Sequence, residues 1–369
     1  MKYTFMLPRK TDLIIFDNNE YEMLLSTVIP REYTAQLMDS SISCIYLNPI
    51  FLFVYIITVI KNLLTGSKVK SALYKSYLLC ILKFIKPKVV ITFTDNSLVY
   101  HWLVKYYKKA RFIAIQNGVR QPYQFKIIKS STDIMINHDI FYCFGRYDVK
   151  RHGEMGFTIN TPIPIGSLRL SNFNDLNRKI TPEYDICLVS KYGKTNPLKK
   201  PLIDEFIYNS NRLDLDVAKL AKNKKLKVVI ALRGSPKEEA YYRKIFGDYA
   251  TYVENKDSES SYRACFSSEL IISYQSSMLI EMLASKKKVL HVDYTSNKDI
   301  FGYEGAIRLD YVDYSNFEHH VINLLSIDYK IYEKLVKDDQ IKFMNHSSSN
   351  PPNVIIKNHI DKLMRSSIV

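Results

Sequence analysis

The sequence predicts an α/β protein that contains two consecutive parallel-sheet domains. Short, almost entirely apolar segments alternate with segments whose apolar residues recur at helical spacing, and this alternation starts again after a polar stretch near the middle of the chain. Strands that are apolar on both faces are typical of a parallel sheet covered by helices on each side. At 369 residues the chain is too long for one ordinary core and long enough for two domains.

The first domain is predicted to span residues 1–171. Five segments have the apolar character of buried strands, and two have apolar residues at helical spacing. The predicted strands are Asp12–Phe16, Ser43–Leu47, Val89–Phe93, Arg111–Ile115 and Ile140–Phe144, and the predicted helices are Lys68–Phe84 and Ser97–Tyr107.

An apolar run over residues 45–60 contains Asn48 and Pro49 and is followed by Lys61. A membrane-spanning helix needs about 20 apolar residues, and this run is shorter. The pattern predicts a short strand, a break at Asn48-Pro49 and then a buried helix, with an interfacial helix as the alternative.

The second domain is predicted to span residues 172–345 and to begin with the polar stretch Asn172–Pro182. Its predicted strands are Tyr184–Val189, Lys227–Leu232, Thr251–Glu254, Leu270–Ser273 and Lys288–Val292, and its predicted helices are Asp214–Lys222, Lys237–Phe246, Ser260–Phe266, Ser276–Ser285, Asn316–Ser326 and Tyr329–Phe343. Residues 346–369, with a terminal helix at Val354–Ser366, are expected to pack back on the first domain. The two domains are predicted to face a central cleft, because ligands of open parallel sheets bind at the carboxyl ends of the strands.

Composition excludes several classes of protein. The five cysteines are scattered and form no C-x-x-C pair, which argues against a disulfide framework or a zinc site and favours a reducing cytoplasm. Residues 1–10 lack the apolar core of a signal peptide, so the predicted location is cytoplasmic. No G-x-S-x-G, H-E-x-x-H or G-x-x-x-x-G-K-[ST] motif supports a hydrolase, a metalloenzyme or an ATPase.

The net charge of +15 is concentrated in one segment. Residues 61–129 carry 12 Lys and 2 Arg against one acid, Asp95. Such a field suits a polyanion or an anionic membrane surface, and a solvated helix face is the alternative. Nucleic-acid recognition motifs are absent, so we predict peripheral contact of this segment with an anionic inner membrane and no nucleic-acid partner.

The strongest local signal is the turn Ser273–Ser277, which lies between a buried strand and a helix. Free N–H groups at a helix start bind anions, and Gln275, Ser276 and Ser277 can add donors. Glu281, within the helix, is a candidate ligand of a ribose. The alternative is that Ser276 only caps the helix and Glu281 is solvated.

Two more strand ends carry cations. Ser190 and Lys191, with Lys194 shortly after them, follow one predicted strand, and Arg233 follows the next. Arginine at a strand end pairs well with phosphate. Surface turns are the alternative, since Gly-Ser-Pro after Arg233 is good turn chemistry.

In the first domain, Asp95 follows a buried strand and is the best candidate for a base that acts on an acceptor hydroxyl. Capping of the helix at 97–107 is its alternative role. Gln116, Asn117 and Arg120 follow the next strand and are predicted to orient an acceptor or to bridge to a donor phosphate, although Asn-Gly is also an ordinary turn.

Four short segments resemble a bacterial family called surface carbohydrate biosynthesis proteins. They are Phe112–Arg120, Cys143–Asp148, Pro164–Ser167 and Ser273–Ser277, and they are collinear over most of residues 12–292. More broadly the chain resembles GT-B glycosyltransferases, which consist of two Rossmann-like domains. The resemblance implies metal-independent transfer of a sugar from a nucleotide donor on the C-terminal domain to a lipopolysaccharide, O-antigen or capsule acceptor on the N-terminal domain.

The Ser276-Ser277 pair is also similar to the serines that hold the CMP phosphate in sialyl- and Kdo-transferases. Those enzymes often carry a His-Pro motif one strand earlier, whereas this chain has Ser235-Pro236 there and no histidine. CDP-glycerol glycerophosphotransferases of the teichoic-acid type share a similar strand-Ser-Ser-helix element. The alternatives to a glycosyltransferase are therefore a CDP-polyol phosphotransferase, a phosphosugar epimerase and a non-catalytic protein that binds anionic surfaces.

Overall fold

The computed structural model describes most of the chain, in two compact units. The described residues are 2–66, 68–120, 125, 137–176, 180–192, 200–257, 259–294, 302–303, 305–310, 313–345 and 349–366. The first unit comprises Met1–Asn117, Tyr123–Gly166 and Ser347–Val369, and the second comprises Gly118–Pro122 and Ser167–His346.

Each unit contains a parallel sheet, and the described strands number fourteen. They are β1 (Lys2–Thr4), β2 (Leu13–Phe16), β3 (Ala35–Met38), β4 (Cys44–Tyr46), β5 (Val89–Thr92), β6 (Arg111–Ile115), β7 (Asn137–Cys143), β8 (Thr158–Pro164), β9 (Tyr184–Val189), β10 (Val228–Ala231), β11 (Ala250–Val253), β12 (Ser268–Ser273), β13 (Lys288–Asp293) and β14 (Arg308–Asp310).

The helices lie between the strands. They are α1 (Tyr21–Met23, continued by a π-helical turn over Leu24–Val28), α2 (Pro49–Leu64), α3 (Val69–Ile85), α4 (Leu98–Tyr106), α5 (Arg146–Glu154), α6 (Leu168–Leu176), α7 (Lys200–Lys224), α8 (Glu238–Phe246), α9 (Ser260–Phe266), α10 (Met278–Ala284), α11 (Tyr314–Ser326), α12 (Tyr329–Phe343) and α13 (Pro352–Arg365).

The sheet of the first unit has six parallel strands in the order β3-β2-β5-β6-β7-β8. Strand β5 lies near its centre, and all four of its residues are buried. One apolar cluster joins Val90 and Phe112 of the strands to Leu78 and Leu103 of helices α3 and α4. Burying each such side chain contributes about 1.5–3 kcal/mol, so the apolar strands pair where helices can cover them.

The sheet of the second unit also has six parallel strands, in the order β11-β10-β9-β12-β13-β14. Strand β9 pairs with β10 on one side and with β12 on the other. Because all three are parallel, the residues that follow Val189, Ala231 and Ser273 lie at the same edge of the sheet.

The last helix belongs to the first unit. In it, Asp361 accepts a hydrogen bond from the hydroxyl of Tyr33 (2.8 Å), and the ring of His359 lies 2.6 Å from the hydroxyl of Tyr142. Lys88 Nζ donates to the carbonyl of Met364 (3.2 Å).

Two predictions about the first domain need correction. The strand predicted at 43–47 exists as β4, but it pairs with β1 in a separate two-stranded sheet instead of joining the main one. Helix α2 begins at Pro49 as predicted, with Asn48 Oδ1 accepting from the N–H of Ile50 (3.0 Å). The prediction that this helix is buried is correct for one face, which includes Phe51 of the core, and wrong for the other, which is exposed.

Candidate functional site

Three strand ends bring polar side chains together at one edge of the second sheet. Ser190 and Lys191 follow β9, Arg233 follows β10, and the turn Tyr274–Ser277 follows β12. The hydroxyl of Ser273 donates to the carbonyl of Val189 (2.9 Å), which ties the ends of β12 and β9. The structure thus places at one edge most of the residues predicted to bind a donor; Lys194 lies outside the described residues.

Lys191 lies where its own charge is disfavoured. Desolvation, together with the nearby Arg233 guanidinium, lowers the pKa of Lys191 to about 7. Burial, followed by the charges of Arg308 and Lys191, lowers the pKa of His291 on β13 to about 3. Burial and neighbouring positive charges thus favour the neutral forms of Lys191 and His291, and a bound anion would favour the charged form of Lys191.

Glu238, which the sequence analysis did not single out, organises the ends of β9 and β10. Its buried carboxylate accepts a hydrogen bond from the hydroxyl of Ser190 and from the backbone N–H of Arg233 (3.0 Å) and Ser235 (2.9 Å). Ser235-x-x-Glu238 has the sequence spacing of a capping box, so the sequence did contain a signal for this contact, although the helix begins at Glu238 with Lys237 as its N-cap. Glu238 holds the backbone that carries Arg233 at the strand end.

The serine turn is compact and strained. Gln275 has a φ of 54°, a left-handed conformation that is uncommon outside glycine. Ser276 Oγ accepts from the N–H of Met278 at 3.4 Å, whereas Ser277 is the N-cap of α10 and makes no side-chain cap hydrogen bond. Ser276 therefore does part of the capping expected of it, and the Ser277 hydroxyl is not used to cap the helix.

Helix α10 itself contributes less than predicted. It extends only over Met278–Ala284, seven residues, so its dipole is small. Glu281 is buried, accepts from the hydroxyl of Tyr262 (2.8 Å) and accepts from the hydroxyl of Ser167. Burial raises its pKa, and these donors partly offset that rise. The alternative that Glu281 is solvated is wrong, and its contact with a ribose stays a prediction.

A surface pocket of about 670 Å³ adjoins the end of β10. Gly234, Ser235, Glu238 and Asn255 are among the residues that line it. Lys191, Arg233 and the serines of the turn are not among its lining residues, so the pocket borders this edge of the sheet without containing its cations.

A second polar group lies at the carboxyl ends of β5 and β6 in the first unit. The buried carboxylate of Asp95 accepts from the backbone N–H of Asn117 (3.3 Å). The cap of α4 is Ser97, whose Oγ accepts from the N–H of Tyr100 (3.3 Å). The alternative in which Asp95 caps this helix is therefore wrong, and its carboxylate serves the neighbouring strand end instead.

Asp148 is the residue of this group that the sequence analysis missed. It is buried, and its Oδ1 accepts from Gln116 Nε2 (2.9 Å), whose Oε1 accepts from the N–H of Phe144 (2.8 Å). Burial raises the pKa of Asp148 to about 7; Gln116 and Arg151 oppose the rise, and the charge of Asp95 adds to it. Asp148 ends the segment Cys143–Asp148 that carries part of the family resemblance, and this was the available signal.

Arg120 belongs to the second unit and not, as predicted, to the first domain. The sequence analysis placed it with Gln116 and Asn117 in the first domain, whereas Gly118–Pro122 belongs to the second unit. Within that unit, a Cβ at Gly118 would lie 3.5 Å from Ser277 Oγ. Arg120 is therefore a residue of the unit that contains the serine turn.

Comparisons with known proteins identify the fold. No family model and no curated protein sequence matches the chain. A solved variant of the wall teichoic acid polymerase TagF, soaked with CDPG, superposes with a TM-score of 0.56 at 14% identity, over 97% of this chain and 89% of that one. A UDP-GlcNAc 2-epimerase from Methanocaldococcus jannaschii, in complex with UDP-GlcNAc and UDP, gives 0.53 at 12% identity, over 98% and 99%.

The fold is GT-B. The prediction of two Rossmann-like parallel-sheet domains is confirmed by the two sheets and by these superpositions. Identities this low establish the fold alone, and the GT-B proteins compared here include a polymerase and an epimerase. The chemistry of this chain must therefore be argued from its own residues.

Proposed function

We propose that the chain is a glycosyltransferase that moves a sugar from a nucleotide-activated donor to a lipopolysaccharide, O-antigen or capsule acceptor. The observation that carries the proposal is the pair of cations Lys191 and Arg233, which follow neighbouring parallel strands beside the Ser276-Ser277 turn. Cations and hydroxyl donors at one sheet edge suit the phosphates of an activated donor.

On the donor side, Lys191 and Arg233 neutralise the phosphates, and Ser276 and Ser277 donate hydrogen bonds to them. Arg120, which belongs to the same unit, is the proposed further phosphate ligand. When the bond between the sugar and the phosphate breaks, negative charge develops on the leaving nucleotide. Positive groups held in place before the reaction stabilise that charge, and this is the largest expected catalytic contribution.

On the acceptor side, Asp95 takes the proton of the attacking hydroxyl, and the oxygen forms the new bond to the anomeric carbon. Asp148, whose pKa is about 7, is poised to exchange that proton with solvent near neutral pH. Gln116 and Asn117 hold these two carboxylates through their hydrogen bonds. The roles of all four residues are part of the proposal.

A second candidate is transfer of a polyol phosphate from a CDP-polyol. The superposed TagF structure had been soaked with CDPG, which favours this candidate for a chain of the same fold. The same cations would then stabilise CMP as it leaves from the phosphoanhydride. The absence of histidine before Pro236 distinguishes the chain from the CMP-sugar transferases with which the serine pair was compared.

The experiment incubates the purified protein with UDP-sugars, CMP-sugars and CDP-glycerol, with and without a glycan acceptor, and identifies the released nucleotide and the product. Acceptor-dependent glycan product supports the glycosyltransferase, and CMP release from CDP-glycerol supports the second candidate. A changed sugar nucleotide without acceptor would identify an epimerase instead. Because protein cations carry the phosphate charge in this proposal, EDTA should leave the rate unchanged.

Two variants tie the activity to the site. Arg233→Ala should lower turnover by about tenfold to a hundredfold, since a lost charge-assisted contact costs roughly 1.5–3 kcal/mol. Lys334→Ala, at an exposed lysine of α12 in the same unit, is the matched control. Equal rates for Arg233→Ala and the unaltered protein would exclude this donor site.

A further inference from the structure

Helix α2 exposes an apolar face to solvent. Ile50, Phe53, Ile60 and Leu64 lie along one stripe and are 60%, 66%, 51% and 83% exposed, and Ile57 completes the spacing. These positions recur at intervals of three and four residues, which places them on one side of a helix. Monomeric soluble proteins rarely expose contiguous apolar surface of this kind without a partner for it.

The opposite side of α2 carries the polar residues and is buried. Asn62 Nδ2 donates to Ser76 Oγ of α3 (2.6 Å), and Lys83 Nζ of α3 donates to Thr58 Oγ1 (2.9 Å). Thr58 and Asn62 are both buried. Phe51 and Val59 are buried on this side as well, and Phe51 belongs to the core cluster of the first unit. Apolar packing and the hydrogen bonds to α3 together fix the orientation of the helix, and the aliphatic stripe is on the outer side.

The amino-terminal segment extends the same surface. Asn48, the N-cap of α2, also donates from Nδ2 to the carbonyl of Phe5 (3.0 Å), and Leu47 N–H donates to the carbonyl of Thr4 (2.7 Å). These bonds hold Phe5 and Met6, 74% and 71% exposed, beside the beginning of the helix. Exposed apolar residues therefore lie both beside the beginning of α2 and along it.

Cations flank both ends of this surface. Between Asp39 and Asp95 the sequence has seven lysines and no acidic residue. Exposed Lys61, Lys68 and Lys70 lie at or just beyond the end of α2, and Lys2 and Arg9 lie in the segment that reaches its beginning. A second copy of the chain would bring cations against cations in either orientation, whereas anionic lipid headgroups complement them.

We infer that α2 lies in the plane of an anionic bilayer surface, with its aliphatic stripe and Phe5 inserted to the level of the upper acyl chains. The lysines around it pair with lipid phosphates. None of the helices in the described part of the chain is long and apolar enough to cross a membrane. A helix of 16 residues is about 24 Å long, which suits insertion parallel to the surface. The inference does not depend on the reaction that the protein catalyses.

A fluorescence experiment tests the depth of α2. Trp102 is the single tryptophan and is buried, so Phe53→Trp adds one reporter on the exposed stripe. With vesicles of phosphatidylcholine and phosphatidylglycerol, the added emission should shift to the blue, and lipids brominated on their acyl chains should quench it. Emission that stays unchanged with these vesicles would overturn the inference.

Vesicle flotation tests the surface itself. The double variant Ile57→Glu/Ile60→Glu should lower the bound fraction by about tenfold or more, because charges at acyl depth are costly. Leu335→Glu/Ile341→Glu, on exposed apolar residues of α12, should bind as the unaltered protein does. Replacing Lys61, Lys68 and Lys70 by glutamate should remove the preference for phosphatidylglycerol over pure phosphatidylcholine.

Size-exclusion chromatography with light scattering tests the alternative that a second copy of the chain covers the stripe. A dimer that Ile57→Glu/Ile60→Glu dissociates, together with no binding to either kind of vesicle, would assign the stripe to a second copy of the chain and overturn the inference. Thermal unfolding of each variant within a few degrees of the unaltered protein shows that lost binding is not lost folding.

Discussion

Lys191 follows strand β9 in surroundings that favour its neutral form, and this sets a pH dependence for ligand binding. With a pKa of about 7, it is charged in acid and largely neutral in mild base. Binding of a nucleotide diphosphate above that pKa must be accompanied by proton uptake, so the dissociation constant should rise as pH increases beyond about 7, by up to about tenfold per pH unit. Titration calorimetry in buffers of different ionisation enthalpy measures both the dissociation constant and the number of protons taken up on binding.

The variant Lys191→Met gives the matching control for that pH dependence. It should bind nucleotide more weakly than the unaltered protein at pH 6.5. Above pH 7 its dissociation constant should no longer rise with pH. A dissociation constant that is independent of pH in the unaltered protein would contradict the assignment of Lys191 to the phosphate site.

The protonation of Asp148, on the acceptor side, makes the stability of the folded chain depend on pH. Its folded pKa is about 7 against an ordinary value of 3.8, so the folded state holds a proton that the unfolded chain releases. Folding is therefore penalised progressively as pH rises from about 4 to 7, and fully above that. Asp148→Asn removes the penalty and can still accept from Gln116, so it should stabilise the protein by on the order of 4 kcal/mol at pH 8 and by only about 1 kcal/mol at pH 4.5.

Urea denaturation at the two pH values measures this difference. At saturating donor, where the titration of Lys191 no longer limits the rate, the same variant should lose the titration near pH 7 from its rate profile, because the group that exchanges the proton is gone. Equal stabilisation at both pH values would mean that packing, and not the charge, accounts for the change.

At the scale of elements, the connection between β10 and α8 depends on one carboxylate. Glu238→Gln keeps the shape but weakens the hydrogen bonds to Ser190, Arg233 and Ser235, so it should destabilise the protein by about 1–2 kcal/mol. Donor binding should weaken about tenfold as Arg233 loses its position. Glu239→Gln, which breaks only the exposed pair with Arg243, should change stability by less than about 0.5 kcal/mol.

Thermal unfolding and nucleotide titration of both variants check this prediction. If Glu238→Gln loses stability but binds nucleotide normally, Glu238 serves the helix start alone and does not position Arg233.

The elements also show what the sequence could predict. Central strands such as β5 and β9 are apolar almost throughout, and that pattern follows from burial on both faces. The edge strands β3, β8 and β14 escaped prediction, because an edge strand is half-covered and tolerates polar residues and, in β8, prolines. For α2, composition predicted the helix, but the covered face depends on Phe51 packing in the core and on Asn62 and Thr58 meeting α3, which composition does not reveal.

At the scale of the whole molecule, the sequence was enough to predict most residues of the candidate site. It was not enough to predict which of them lie close together in the folded chain. Strand ends marked by Ser190, Arg233 and Ser276 are visible in the sequence, yet their proximity depends on β9 lying between β10 and β12. Asp148 and Glu238 were missed because a carboxylate looks alike in sequence whether it is buried or solvated. Their chemistry comes from burial, which only the folded chain shows.

The division into two units makes a prediction about where a nucleotide acts. Hydrogen exchange measured by mass spectrometry should show protection at the ends of β9, β10 and β12 when the preferred nucleotide is added, because their backbone N–H groups lie at the proposed phosphate site. The first unit carries most of the lysine-rich segment, so binding to anions in general would protect residues 61–117 instead. Sulfate at matched ionic strength controls for charge alone. Protection that follows the nucleotide at the edge of the second sheet, and that sulfate does not reproduce, would support a specific donor site, whereas protection confined to the first unit would contradict it.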